Sequence, residues 1–280
     1  MKPTVALQRV LTGLAVRLRS LEERRELATF RSALRWRSDG PLVVLSPHLD
    51  DAVLDCWSVL EGEPRPLVVN VFAALPPEGT LGRWDRITGA ADSAQRMRER
   101  IAEDAAALAP LGIEPINLSL PEAEYRSPWE EPPPARLDAL LAARVPEVSG
   151  VLVPAALGTN RDHRAVRRYG LALRAAGIPV TLYADLPYCI QHGWPSWVDG
   201  APPDPYRDVD AFWATFVEGT GIELARQRAR VVALDEARAA AKLAALRCYR
   251  TQLPALDGGP LAYLSNPRAH GFEVFWELEP

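Results

Sequence analysis

Five short, mostly apolar runs alternate with stretches of helical spacing, and this alternation limits the fold more than any other feature of the chain. The runs cover 42–45, 67–72, 116–120, 150–154 and 180–183. They lack the in-and-out alternation of a half-exposed strand, so they read as strands buried on both faces. The stretches 52–60, 92–111, 136–144 and 165–176 read as helices, two of them ending at the C-cap residues Gly112 and Gly177. Such a pattern implies a Rossmann-like, doubly wound α/β fold, a mostly parallel sheet with helices on both faces. The common strand order 3-2-1-4-5 places the first and fourth runs side by side, where ligands bind beyond the strand ends.

The pattern changes beyond about residue 205, where 230–234 and 272–278 read as strands and 236–249 as an Ala-rich helix. Periodicity does not place these in the sheet. Residues 4–35 carry apolar positions at helical spacing, so 1–40 is expected to form an N-terminal helical extension and 41–280 a single α/β domain. Arg9, Arg17 and Arg19 interrupt any apolar core at the N-terminus, so no signal peptide is expected.

Composition excludes several classes of function. A net charge of −4 leaves no basic excess for a general nucleic-acid binder. No run of about 18 apolar residues offers a membrane span. Cys56, Cys189 and Cys248 are distant from one another and odd in number, which supports neither a disulfide framework nor a thiolate zinc site. Cytoplasmic residence is the expectation.

Chemistry concentrates at the end of the first run, in Ser46-Pro47-His48-Leu49-Asp50-Asp51. An imidazole and two carboxylates beside an apolar strand are costly to desolvate unless a cation compensates them. The fourth run is followed by Asn160-Arg161-Asp162-His163 at a helix entry, and the topology brings this cluster to His48. His48, Asp51 and His163 then make a two-His, one-carboxylate set with an open position, the pattern of catalytic zinc. Asp50, projecting differently from Asp51, is placed to act as general base toward water activated by one zinc ion. Capping is the competing reading of both clusters, since Asp50 or Asp51 at a helix entry can simply satisfy backbone N–H groups.

These residues resemble a known family. Pro47-His48-Leu49-Asp50-Asp51 is similar to the first signature of the PIG-L/LmbE-like zinc-dependent N-deacetylases, and Asn160 to His163 to their second, H-x-D-H. Weaker similarities run through 100–104, 111–112, 183–188 and 242–252, so that the resemblance covers roughly residues 40–190 and a stretch near the C-terminus. The resemblance implies zinc held by His48, Asp51 and His163, with Asp50 as base and Asp162 orienting a ligand. It implies hydrolysis of an N-acetyl group on an amino-sugar conjugate such as an N-acetylglucosamine derivative, in a setting that includes bacterial secondary metabolism. Asn160 departs from the family, which often has His there to stabilise the oxyanion; an amide can donate a hydrogen bond but carries no charge. His192 and His270 are rival proton donors to the leaving amine.

The loops at the strand ends carry Arg83, Trp84, Asp85, Arg86, Tyr125, Arg126, Trp129, Trp194 and Trp197. Indole faces and guanidinium forks suit a small-molecule glycoside or glycoconjugate, with Arg83 to Arg86 and Trp194 the expected contacts. Each tryptophan can equally be a loop anchor packed on the core, which is the reading for Trp57, Trp213 and Trp276. Two alternatives keep the same residues: an amidase for a thiol-sugar conjugate or another N-acyl metabolite, and a non-catalytic Rossmann-like binding protein with a vestigial site. The second lacks a G-x-G-x-x-G after the first strand.

Overall fold

The apolar runs pair as their burial requires. In the computed structural model, which describes residues 25, 29–127, 130–219, 229–257 and 266–278, they become β2 (Leu42–Ser46), β3 (Leu67–Asn70), β4 (Ile116–Asn117), β6 (Gly150–Pro154) and β7 (Val180–Tyr183). These strands are parallel and lie in the order β4-β3-β2-β6-β7. Two more strands extend the sheet beyond β7: β9 (Phe272–Leu278) runs antiparallel to β7, and β8 (Ala229–Ala233) antiparallel to β9. The result is a seven-stranded, mostly parallel sheet.

Sheet growth in opposite directions from β2 and β6 puts right-handed crossovers on opposite faces. Helices Pro134–Ala142 and Arg161–Ala175 pack together on one face; Asp51–Asp55, Ser93–Leu108 and Glu236–Leu246 pack together on the other. A Cβ on Gly170 would come within 2.6 Å of Val153 Cγ2, so the helix carrying His163 lies against β6 at a separation that only glycine allows. No helix among the described residues is long and apolar enough to cross a membrane.

Of the helical stretch anticipated at 4–35, residues up to 28 lie outside the described residues, Arg25 apart. Residues 30–34 are irregular and Arg35–Trp36 form a strand, so that part of the expected helical extension is not helical. Phe30 and Leu34 are buried in the main core, and β1 (Arg35–Trp36) pairs in parallel with β5 (Glu147–Val148). Asp138 accepts hydrogen bonds from Ser32 Oγ and Ala33 N, both at 2.6 Å. Residues from Phe30 onward are therefore joined to the α/β body.

A fully buried ion pair fixes the C-terminal elements to the helices after β2. Lys242 Nζ lies 2.8 Å from Glu273 Oε1, and Glu273 also accepts from the N–H groups of Trp57 and Ser58 at 2.8 and 2.9 Å. Removing one member strands the other charge away from water. Lys242→Met is expected to lower the unfolding free energy by about 3–5 kcal/mol in urea titrations, and stability equal to wild type would show that the two backbone N–H groups suffice for Glu273.

Candidate metal and active site

The strand order sets β2 beside β6, so the segments leaving their carboxyl ends meet at the switch point. How the first segment turns decides which carboxylates remain available. Helix Asp51–Asp55 begins without a side-chain cap from Asp50. Instead Ala52 N donates to Ser46 Oγ at 2.9 Å, and His48 N donates to Asp51 Oδ2 at 2.7 Å. The capping work thus falls to Ser46, and Asp50 keeps its carboxylate at the wall of a cavity of about 400 Å³.

His48, Asp51 and His163 each bring one ligand atom within 4.8 Å of the others. His163 Nε2 lies 3.4 Å from Asp51 Oδ1, and His48 Nδ1 lies 3.4 Å from Asp51 Oδ2. Two ligands about 2.1 Å from a shared tetrahedral centre stand about 3.4 Å apart, so these spacings fit a zinc-sized cation. His163 Nε2 is fully buried and has no hydrogen-bond partner, although its ring is fixed by Asp185 Oδ2 at 3.0 Å from Nδ1. A buried imidazole nitrogen with an unused position, facing a carboxylate at 3.4 Å without a hydrogen bond to it, is what a ligating histidine looks like.

Each imidazole has its own carboxylate behind it. Asp162, next to His163 in sequence, serves the other histidine: its Oδ2 lies 3.1 Å from His48 Nε2 and also accepts from Ala123 N. Asp162 Oδ1 accepts from Arg126 Nη2 at 2.7 Å. Asp185, two residues after β7, holds His163 and accepts from Leu157 N at 2.9 Å. The sequence reading includes Asp185 in the 183–188 stretch of weaker resemblance but gives it no role; its signal is a carboxylate two residues after a buried strand. Asp185→Asn replaces the acceptor facing His163 with an amide, and zinc affinity is expected to fall about 10- to 100-fold in competition with a chelating dye. An unchanged affinity would show that packing alone orients His163.

The electrostatics follow from burial. Desolvation lowers the pKa of His48, but hydrogen bonds to Asp162 and Asp51 outweigh it and hold the imidazole well above its ordinary value. His163 shows the same contest: burial is overcome by Asp51 and Asp185, and its pKa rises. Burial works against ionisation of Asp51, yet the charges of His163 and His48 bring it down to about 2. Asp50 moves the other way, raised by burial and then by the charge of Asp51, with Arg100 opposing. Two neighbouring carboxylates are thereby driven apart in basicity, the weaker base facing the histidines and the stronger one lining the cavity.

The cavity has two kinds of wall. Arg83, Trp84, Arg100, Glu122, Glu124 and Gln252 form a polar side, while Leu54, Ile87, Leu186, Pro187 and Leu256 form an apolar one. The polar side is tied together: Arg100 pairs with Glu122 at 2.6 Å, Trp84 Nε1 donates to Gln252 Oε1 at 2.6 Å, and Trp84 N donates to Glu124. Asn160 caps helix Arg161–Ala175 by accepting from Asp162 N, and its Nδ2 donates to the Tyr188 hydroxyl at 2.9 Å. Arg100, Tyr188 and Gln252 lie in stretches that carry the weaker resemblance but are given no role there, and Glu122 is not singled out, because each becomes part of the site only through long-range packing.

The remaining expected contacts go elsewhere. Asp85 is buried and outside the cavity lining, hydrogen-bonded by the Tyr125 hydroxyl, and Arg86 is turned to the Leu81 carbonyl. Trp194 is buried against Trp213 and Phe272, with Nε1 donating to the Arg268 carbonyl, so it is a core anchor and not a cavity residue. His192 is exposed and packs edge-on against Phe212, outside the cavity lining. A proton donor must reach the reacting nitrogen, which His192 does not do from there. His270 is buried behind Leu54 and Leu186 in a narrow apolar space. Trp129 lies outside the described residues.

No protein-family model matches the chain, and a search of curated proteins finds no relative. Solved structures do match. A triple mutant of a deacetylase of the teicoplanin biosynthetic pathway is 25% identical with a TM-score of 0.60, over 85% of this chain and 97% of that one. The deacetylase of the A40926 pseudoaglycone is 26% identical with a TM-score of 0.58, over 85% and 96%. The zinc-inhibited form of the teicoplanin deacetylase is 23% identical with a TM-score of 0.59, over 85% and 97%. The chain has the mixed α/β fold of these deacetylases.

Proposed function

We propose that this protein is a metal-dependent N-deacylase of the PIG-L/LmbE-like family, hydrolysing an N-acetyl or related N-acyl amide on an amino-sugar conjugate. One observation carries the reading: His48, Asp51 and His163 converge on a point that a cation fits, on the edge of a cavity where Asp50 has been left uncapped. The likeness to the deacetylases of the teicoplanin biosynthetic pathway and of the A40926 pseudoaglycone supports deacylation as the reaction.

His48, Asp51 and His163 would hold one divalent ion, zinc by ligand type, which supplies Lewis-acid polarisation of the amide carbonyl and acidifies water. The chain's own residues do the rest. Asp50, the more basic carboxylate, takes the proton of the attacking water and returns it to the amine nitrogen as the C–N bond breaks. Asp162 and Asp185 hold the two imidazoles in the tautomers that present a lone pair to the cation. The indole of Trp84 offers a face for a sugar ring, and Arg83 lies beside it to bind hydroxyls. The volume is that of a drug-sized ligand site.

The test is release of free amine from a panel of N-acetylated amino sugars, thiol-sugar conjugates and glycopeptide pseudoaglycones, with and without chelator. Zinc is varied from below one equivalent to excess, because excess can inhibit. Chelator-sensitive release from glycosides supports the reading; turnover confined to non-sugar amides would move the protein to a general amidase. Bound metal without turnover of any amide would favour a binding protein.

A further inference from the structure

The hydroxyl of Tyr188 has half of its hydrogen bonding assigned. It accepts from Asn160 Nδ2 at 2.9 Å, and no acceptor for its own proton exists among the described residues. Asn160 cannot be that acceptor, because its carbonyl is occupied by Asp162 N in the helix cap. The phenol proton is therefore free to turn toward the cavity that Tyr188 lines together with His48, Asp50 and Asp51.

The ring is fixed on several sides. It stands edge-on to His163, with centroids 5.0 Å apart. A Cβ at Gly158 would come within 3.0 Å of Tyr188 Cβ and 3.2 Å of its Cγ, so the loop after β6 closes tightly on the ring and a larger residue there would push it aside. The segment leading to Tyr188 is tied to the motif helix by Leu186 N donating to Asp55 Oδ1 at 2.8 Å. A neutral donor held this firmly needs no reorganisation when charge develops beside it, the condition under which one hydrogen bond contributes most.

We infer that Tyr188 is a catalytic residue, donating a hydrogen bond from its hydroxyl to the oxyanion of the tetrahedral intermediate, and that Asn160 acts through it as a positioning residue. This rests on the N-deacylase reading above. As water oxygen bonds to the carbonyl carbon, the carbonyl π pair moves onto oxygen and accepts the Tyr188 hydrogen bond. When that pair re-forms the C=O bond, the C–N bond breaks and the amine leaves with the proton held by Asp50. No proton is transferred from Tyr188.

Tyr188→Phe removes the donor and keeps the ring. It is expected to lower kcat about 100- to 1,000-fold with KM and metal content unchanged. Asn160→Asp keeps the helix cap but turns the neighbour of Tyr188 into an acceptor that captures its proton. This variant is expected to lose activity to a similar extent, and adding Tyr188→Phe to it to cost less than about threefold more. Affinity of the metal-loaded chain for methylphosphonate, a tetrahedral anion, is expected to fall about tenfold in Tyr188→Phe, the worth of one hydrogen bond to a charged group. A Tyr188→Phe enzyme within about threefold of wild-type kcat, with full additivity in the double variant, would overturn the inference and leave the deacylase reading intact. If wild type hydrolyses no amide, methylphosphonate decides: weaker binding in Tyr188→Phe supports the donor, while equal binding, or none to the wild type, overturns it.

Discussion

Asp50→Asn is expected to lower kcat by about two to four orders of magnitude, the usual contribution of a positioned general base, while the chain keeps its metal. The expectation comes from how the turn after β2 divides its labour. Asp51 accepts from the His48 backbone and faces both imidazoles; Asp50 makes no cap bond and faces the cavity. Because Ser46 satisfies Ala52 N, the amide introduced at position 50 removes basicity without unravelling the helix entry. Asn is close to isosteric and is neutral, so the raised basicity that burial and Asp51 impose on Asp50 is the property lost. Single-turnover rates and metal content measured on the same preparation separate the effects. Wild-type turnover in Asp50→Asn would remove Asp50 as the base, and joint loss of metal and turnover would make it a ligand.

His163→Ala is expected to abolish stoichiometric metal binding and reduce turnover to background. His163 has no exposed surface, so its removal opens a void and leaves Asp185 without the imidazole it holds. The affinity loss should exceed the roughly 10- to 100-fold typical of residues that only orient a ligand. Unfolding is the competing explanation for lost activity, and His163→Gln checks it: the amide retains hydrogen bonding toward Asp185 but offers no imidazole lone pair. A variant with a wild-type circular dichroism melt that no longer binds zinc isolates ligation from folding. Full zinc affinity in a folded His163→Gln chain would move the metal to other residues.

How much of this is legible in the sequence depends on the range of the physics involved. The five parallel strands and their order follow from local signals, because continuous apolar runs must be buried on both faces and crossovers have a fixed hand. His48, Asp50, Asp51 and His163 are legible for the same reason: each stands directly after a strand that meets the other at the switch point. The places of β8 and β9 are not legible, since an antiparallel return to a sheet edge leaves no signature in periodicity. Helix Arg161–Ala175 begins four residues before the 165–176 stretch that helical spacing suggested, because Asn160 caps it and only the second half is strongly apolar.

Side-chain partners are the least legible level. Asp162 adjoins His163 in the chain but serves His48, and Asp185 reaches His163 from a different strand. The tryptophan and arginine loops show the same limit. Trp84 and Trp194 both read from the sequence as loop residues beyond strand ends, yet one lines the cavity and the other is packed in the core.

Elemental analysis of the full-length chain, purified without chelator and compared with His48→Ala, Asp51→Ala and His163→Gln, tests the metal site most directly. The account predicts one divalent ion per wild-type chain and none in the three variants, with amide hydrolysis lost on chelation and restored by readdition of metal. A wild-type chain that carries no ion and takes up none from equimolar zinc would contradict it, as would hydrolysis that persists unchanged in chelator.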